Sequence, residues 1–320
     1  MSSLLKCMRC GHAERWHHSE IKTLYASKFC AAGNCNCQGF YASKLNPRAV
    51  FMKGLLFLII WSVAIISLAV IFTMWAMMVF AYGYDVAFIG DIGDNQHALD
   101  VRNALYKIQP DLIICLGDIT YSNNFTWFKT KYMDLFPNVK CIIGNHDLKK
   151  GNVSMAAEAY KLFGQTWTVR VDNKLFVGMD SEQNFTGQYK WFKNMITKHE
   201  NLTEVFINTH RPCNIQTDSR TAPVGLFKMC ERLKELIPLD AKLSFIAGHH
   251  HIMAKTQDSD GDALYISGAG GAFRQECSKP IFSWCNDEDM GYLLFKIKND
   301  KVIPKFYDVN GKMIYEVIKK

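Results

Sequence analysis

Five groups able to bind a cation each stand directly after a short apolar run. Val86-Ala87-Phe88-Ile89 leads into Gly90-Asp91, and Leu112-Ile113-Ile114-Cys115-Leu116 leads into Gly117-Asp118. Val139-Lys140-Cys141-Ile142-Ile143 leads into Gly144-Asn145-His146-Asp147. Val205-Phe206-Ile207-Asn208-Thr209 ends at His210, and Leu243-Ser244-Phe245-Ile246-Ala247 ends at Gly248-His249-His250-His251. Carboxylates, an amide oxygen and imidazoles are the donors of a two-metal site, in which one carboxylate bridges and the rest fill two coordination shells. Such a bridge holds two cations roughly 3.5–4 Å apart. A single Gly-Asp after a strand reads as a turn; five such units in order read as a constellation.

Short, β-branched runs flanked by polar residues predict buried strands. Asp91 to Asp118 is 27 residues, and Asp118 to Asn145 is 27 again. A βαβ crossover takes about 30. The spacing therefore predicts parallel strands with Asp91, Asp118 and Asn145 along one rim, past the carboxyl ends, where open α/β sheets bind ligands. Asn95 is placed to cap a helix with Ala98, Val101, Leu105 and Ile108 on one face, ending before Pro110. Residues 155–162, 188–198 and 225–236 read as further helices, the last two leading to the His210 and His249 strands. Thr166–Val171 and Lys174–Met179 alternate around Asp172-Asn173, a hairpin pattern. The tail alternates again over 264–267, 292–298, 302–307 and 312–317, with turns at Asn299-Asp300 and Asn310-Gly311. No internal repeat or low-complexity segment is evident.

The 320 residues, 49% of them hydrophobic, suffice for one sizeable core with additions. The net charge of +7 is uneven: residues 1–53 hold eight Lys/Arg against two Glu, and the remainder is nearly neutral. No basic surface for nucleic acid is expected in the large domain. Cys7, Cys10, Cys30, Cys35 and Cys37, with His12, His17 and His18, crowd the first fifty residues. A CxxC followed by a second cysteine cluster has the spacing of one structural zinc site. Cys7, Cys10 and Cys30 are the firmer ligands, and Cys35 and Cys37 compete for the fourth place, with Cys37 preferred. So short a head buries too little apolar surface to fold without such a staple. A flexible head with unliganded thiols is the competing reading.

Residues 54–84 carry no charge, and a bilayer core needs about 20 apolar residues. The stretch is longer than a signal-peptide core and starts beyond residue 50, so it reads as a membrane span. The basic residues before it argue that the head stays cytoplasmic and the large domain faces outside. Sequons at Asn124, Asn152, Asn184 and Asn201 all come after the span, in agreement with that orientation. Outside the cell Cys213, Cys230, Cys277 and Cys285 are free to form disulfides of undetermined pairing, while Cys115 and Cys141 read as buried thiols. Three segments result: a Cys/His-rich head over 1–50, a transmembrane helix over 54–82 and the large domain over 84–320.

GDIG (90–93), GDITY (117–121), GNHD (144–147), NTH (208–210) and GHHH (248–251) resemble the ordered motifs of calcineurin-like metallophosphoesterases. Many relatives carry Asp-x-His in the first motif, where this chain has Asp91-Ile92-Gly93. It has Tyr121 three residues past Asp118, where the purple acid phosphatase branch places a tyrosinate on ferric iron. The stretch 261–273 is also similar to the segment after the last motif in those enzymes. The resemblance, over residues 85–298, implies an α/β fold of four-layer αββα sandwich type. It implies that Asp91, Tyr121 and His251 hold a first metal, that Asn145, His210 and His249 hold a second, and that Asp118 bridges. The implied metals are iron paired with iron, zinc or manganese. A metal-bound hydroxide would attack phosphorus, with His146 protonating the leaving group and Asp147 orienting its imidazole. Arg211 and Arg274 are candidate phosphate clamps. The expected activity is hydrolysis of phosphate esters on a small molecule or phosphoprotein, with a protein partner for the head. A phosphodiesterase or nucleotide hydrolase of the same fold, or a non-catalytic phosphate-sensing receptor signalling through the head, are the alternatives.

Overall fold

The computed structural model describes residues 47–320, apart from 82, 123, 150–152, 214–222, 259, 278–280 and 318–320. The proposed zinc ligands Cys7, Cys10, Cys30, Cys35 and Cys37 lie outside the described residues. The chain divides into two units, residues 1–79 and 80–320. In the first, α1 (Pro47–Ala81) contains 20 residues, Leu55–Met74, long and apolar enough to cross a membrane. Their side chains are exposed, Leu68 to 67% and Phe72 to 65%.

In the second unit, strands β1 (Tyr84–Ile89), β2 (Leu112–Leu116) and β3 (Val139–Ile142) pair in parallel, as the spacing of 27 predicts. Helix α2 (Gln96–Ile108) supplies the first crossover. Asn95 caps it, accepting from the Ala98 N–H at 3.0 Å. Ala98, Val101, Ala104 and Leu105 face inward, while Ile108 lies in the last turn and is exposed. The crossover to β3 holds a short helix, α3 (Phe125–Phe128), running into a π-turn over residues 129–133.

After α4 (Val153–Phe163) comes the hairpin of β4 (Thr166–Val171) and β5 (Lys174–Met179), at the boundaries read from the sequence. Then come α5 (Phe185–Ile196), β6 (Glu204–Thr209), α6 (Val224–Lys234) and β7 (Lys242–Ala247). The tail adds β8 (Met253–Gln257), β9 (Ala263–Ser267), β10 (Trp284–Asn286), β11 (Gly291–Lys298), β12 (Lys301–Asp308) and β13 (Met313–Glu316). Two mixed sheets form, ordered β13-β12-β11-β1-β2-β3 and β10-β8-β9-β7-β6-β5-β4. The five strands that lead to the candidate donors are therefore split between the sheets.

Side-chain alternation explains the layering, because successive residues of a strand face opposite sides. Phe88, Ile114, Phe176, Phe206 and Phe295 face the space between the sheets. Their rings pack at centroid distances of 4.7 Å for Phe88–Phe295 and 4.8 Å for Phe176–Phe206. Ala87, Ile89, Ile113 and Cys115 turn outward and bury Val101, Leu105, Phe128 and Ala159 of α2–α4. Leu175, Val177, Val205, Ile207 and Phe245 turn the other way and bury Phe192, Leu226 and Leu233 of α5 and α6. The layer order is helices, sheet, sheet, helices. Disulfides join Cys213 to Cys230 and Cys277 to Cys285, and Cys115 and Cys141 are buried free thiols.

Candidate metal centre

Three of the five candidate donors leave their strands with a left-handed backbone. Asp91, Asp118 and His249 have φ of 55, 50 and 67°. Non-glycine residues in this left-handed region are uncommon and cluster where function imposes strain. Glycines permit the crowding: a Cβ on Gly144, before Asn145, would run into Asp118 Oδ1, and one on Gly248, before His249, would lie 2.7 Å from Asp91 Oδ2.

The turns converge on one cluster. Asp91 and Asp118 are buried, and with His210 they bring ligand atoms within 4.8 Å of one another. Around Asp91, its Oδ1 is 3.2 Å from His251 Nε2, and the Tyr121 hydroxyl is 3.3 Å from that nitrogen. The same hydroxyl donates to Asp118 Oδ2 at 3.3 Å. On the other side, Asp118 Oδ1 is 3.5 Å from His210 Nε2. His210 Nε2 is in turn 3.1 Å from Asn145 Oδ1 and 3.3 Å from His249 Nδ1. Asp118 thus faces both groups with its two oxygens.

Backbone carbonyls aim the imidazoles. Leu116 O is 2.8 Å from His210 Nδ1, and Phe273 O is 2.6 Å from His251 Nδ1, so the Nε2 atoms are the ones turned inward. Asp91 Oδ2 accepts the His249 N–H at 2.7 Å, and Asp118 Oδ1 accepts the His146 N–H at 2.8 Å.

Burial opposes ionisation of Asp91, yet the hydrogen bond from His251 and the charges of His210 and His251 hold its carboxyl below the usual range. His210 is buried too, but the Asp118 and Asp91 carboxylates raise its pKa. Burial, then the Asp91 and Asp118 charges, push the Tyr121 phenol upward. Two buried carboxylates beside a phenol, with imidazoles on both flanks, form a concentration of negative charge and lone pairs that cations relieve. The donor types fit a metal site, and Asp91, Asp118 and His210 form its candidate cluster.

His146 stands beside this cluster, half-buried, with its ring edge-on to Tyr121 at 4.6 Å between centroids. Its Nε2 is 3.9 Å from Asp118 Oδ2. Burial lowers its pKa, and the Asp118 carboxylate only partly offsets this. The sequence suggests Asp147 as the group behind the His146 imidazole. In the structure its oxygens accept the N–H groups of Ile119 at 3.0 Å and Gly144 at 2.8 Å. Asp147 thereby ties together the loops that carry Asp118 and Asn145. Burial, and then Asp118, push its carboxyl up to about 8.

Of the two candidate clamps, Arg211 lies at the cluster, with Nη1 3.0 Å from His249 Nε2. Arg274 is exposed on the loop after β9. Sequence reasoning misses Glu182, which pairs with Arg211 across 29 residues of chain. No local pattern distinguishes it from other loop acids. A second acidic group, Asp258, Asp260 and Asp262, surrounds the Lys234 ammonium, which lies 2.7 Å from Asp258 and 2.6 Å from Asp260.

Two facing mixed sheets with this donor set on their common rim define a metallohydrolase of the phosphoesterase kind. Residues 84–281 match the calcineurin-like phosphoesterase family, and the chain belongs to it. Membership carries the activity class, metal-dependent hydrolysis of phosphoric esters. Among solved structures, the domain is similar to purple acid phosphatase from yellow lupin (Lupinus luteus) seeds, with TM-score 0.60 and 14% identity over 74% of this chain and 53% of that one. It is also similar to GAP50, described as the anchor in the inner membrane complex of Plasmodium, with TM-score 0.57 and 17% identity over 74% and 90%. At these identities the likeness is one of fold. No curated protein matches the sequence significantly.

Proposed function

We propose that the chain is a membrane-anchored, dinuclear-metal phosphoesterase of the purple acid phosphatase type. The observation that carries this reading is the course of Tyr121. Its ring packs over Gly93, where a Cβ would lie 3.2 Å from Tyr121 Cδ2, and its hydroxyl joins Asp91, Asp118 and His251. The imidazole that many relatives place at position 93 is absent, and a phenol oxygen stands in the vicinity instead. Ferric iron, a hard cation, suits oxygen donors of this kind with one imidazole.

Asp91, Tyr121 and His251 would hold the first metal, Asn145, His210 and His249 the second, with Asp118 between. Two such cations supply an activated water near neutral pH and positive charge for the phosphoryl oxygens. The chain's own residues do the rest. Leu116 O and Phe273 O keep His210 and His251 in the tautomers that leave Nε2 available. His146, next to the cluster and part-exposed, is placed to protonate a departing alkoxide. A lowered pKa suits that role in acid, since the imidazole must be protonated to act.

Anchoring by α1 is supported by its length and apolar surface. The outward orientation is supported by the basic residues before α1, by the two disulfides and by exposed sequons at Asn124, Asn184 and Asn201. The head would hold one structural zinc through Cys7, Cys10, Cys30 and Cys37. A 1–50 peptide that orders equally well in chelator would remove that part.

The test of the function is hydrolysis by the iron- or manganese-loaded chain of phosphomonoesters differing in leaving group. Activity should decline as pH rises through a value below the ordinary imidazole 6.5. His146→Ala should keep its metals, abolish that limb and slow alkyl esters most. Loss of metal from His146→Ala, or a rate indifferent to leaving group, would contradict the assignment.

A further inference from the structure

We propose that Arg211, oriented by Glu182, selects phosphomonoesters over phosphodiesters; the inference rests on the phosphoesterase function proposed for this site and deepens it. Arg211 comes directly after His210 at the end of β6, and its backbone is pinned from two sides. Its N–H donates to Ser181 Oγ at 2.9 Å, and its carbonyl accepts the Thr209 hydroxyl at 2.8 Å. Its Nε donates to both Glu182 oxygens, at 2.9 and 3.1 Å. Ser181 Oγ donates to the same carboxylate at 3.0 Å.

Glu182 is itself built in. Its N–H donates to Asp180 Oδ1 at 2.7 Å, and Asp180 is 1% exposed. The other Asp180 oxygen accepts the Tyr160 hydroxyl at 2.6 Å, and buried Gln188 bonds both backbone groups of Asp180. The rim loop after β5, which bears no metal-ligand candidate, is thus a rigid shelf that fixes one guanidinium.

Orientation matters because the guanidinium is a planar fork. With Nε committed to Glu182, the Nη edge is left to point elsewhere, and Nη1 lies 3.0 Å from His249 Nε2. A fixed cationic donor therefore sits beside the second half of the donor set. A phosphomonoester has three terminal oxygens and a diester has two. Were two cations held here to take up two of those oxygens, the monoester alone would keep a terminal oxygen for a further cationic donor. The Nη edge of Arg211 would then meet a further terminal oxygen only on the monoester, through a charge-assisted hydrogen bond.

The bland alternative is an ion pair that merely stiffens the rim, and the experiment separates the two. In the metal-loaded full chain, kcat/KM would be measured for phenyl phosphate and methyl phenyl phosphate, which share a leaving group. Calorimetry would give the affinities for inorganic phosphate and dimethyl phosphate without turnover. Arg211→Ala should lower the monoester value about 10–100-fold. It should also weaken phosphate binding, while diester values stay within about threefold and metal content is unchanged. Arg211→Lys should restore part of the loss. Glu182→Ala should show a smaller loss of the same pattern, and the double variant should match Arg211→Ala alone, because Glu182 acts through Arg211. Equal losses on both esters, or an additive double variant, would overturn the inference. A wild-type chain that hydrolyses neither ester would instead defeat the hydrolase reading, and phosphate against dimethyl phosphate binding would still judge the role of Arg211.

Discussion

Tyr121 illustrates how a side chain takes its character from its neighbours. Burial and the Asp91 and Asp118 carboxylates hold its phenol protonated in the metal-free chain. A trivalent cation at Asp91 and His251 would reverse that balance, since the phenolate then faces positive charge. Ultraviolet titration of the metal-free chain should therefore show Tyr121 still protonated at the pH where ordinary tyrosines ionise. The iron-loaded chain should show a visible phenolate-to-iron band already at neutral pH. Tyr121→Phe should bleach the band and loosen the first metal while Asn145, His210 and His249 retain the second. An unchanged spectrum would mean the ring does not bind. Asp91, Asp118 and His210 are legible in the sequence as candidate donors because each stands after an apolar run, and the fold brings their ligand atoms within 4.8 Å of one another. Glu182 is not legible, because its meaning arises only when the β5 and β6 rims are adjacent.

Elements place these residues, and the loops between them are tied by few groups. Asp147 holds the loops after β2 and β3 through the N–H groups of Ile119 and Gly144. Its folded pKa of about 8 lies above the ordinary carboxyl value of 3.8, so the metal-free folded state binds the extra proton between those values. Its contribution to stability is complete below about pH 4 and is lost as pH rises through about 8. Asp147→Asn turns an amide N–H toward one of two backbone donors and should cost about 1–3 kcal/mol. It should also flatten the rise in urea sensitivity of the metal-free chain between pH 4 and 8. An Asn variant as stable as wild type, with the same pH dependence, would remove this role. Strand and helix positions emerge from periodicity, as the hairpin around Asp172-Asn173 shows. The pairing does not: β11 lies antiparallel beside β1 across roughly two hundred residues of chain, which no local pattern encodes. β8 and β10 escape a reading by pattern because one comes after the histidine loop without clean alternation and the other spans three residues.

For the whole chain, the family accounts for residues 84–281, and α1 carries one stretch, Leu55–Met74, long and apolar enough to cross a membrane. Two disulfides and exposed sequons suit an oxidising, glycosylating compartment. Glycosidase treatment of the chain made in a secretory system should lower its apparent mass, and Asn184→Gln or Asn201→Gln should remove part of that shift. Protease added to intact cells should reach the domain and spare the head. An unglycosylated chain whose domain is protected would place the enzyme on the cytoplasmic side. The charge asymmetry across α1 is legible from composition alone, because orientation depends on basic residues near a span.

Asp118, lying between the two halves of the donor set, is the residue on which a dinuclear centre would depend. Metal content and phosphomonoester turnover would be compared in the full chain, wild type against Asp118→Asn. Any zinc in the head counts equally in both and cancels from the difference. Asp118→Asn keeps the shape but loses the charge shared by both halves of the donor set. It should bind fewer metal ions and lose more than about 100-fold in turnover, beyond the usual cost of an outer-shell partner. Equal metal content and equal turnover in the two proteins would contradict the dinuclear centre.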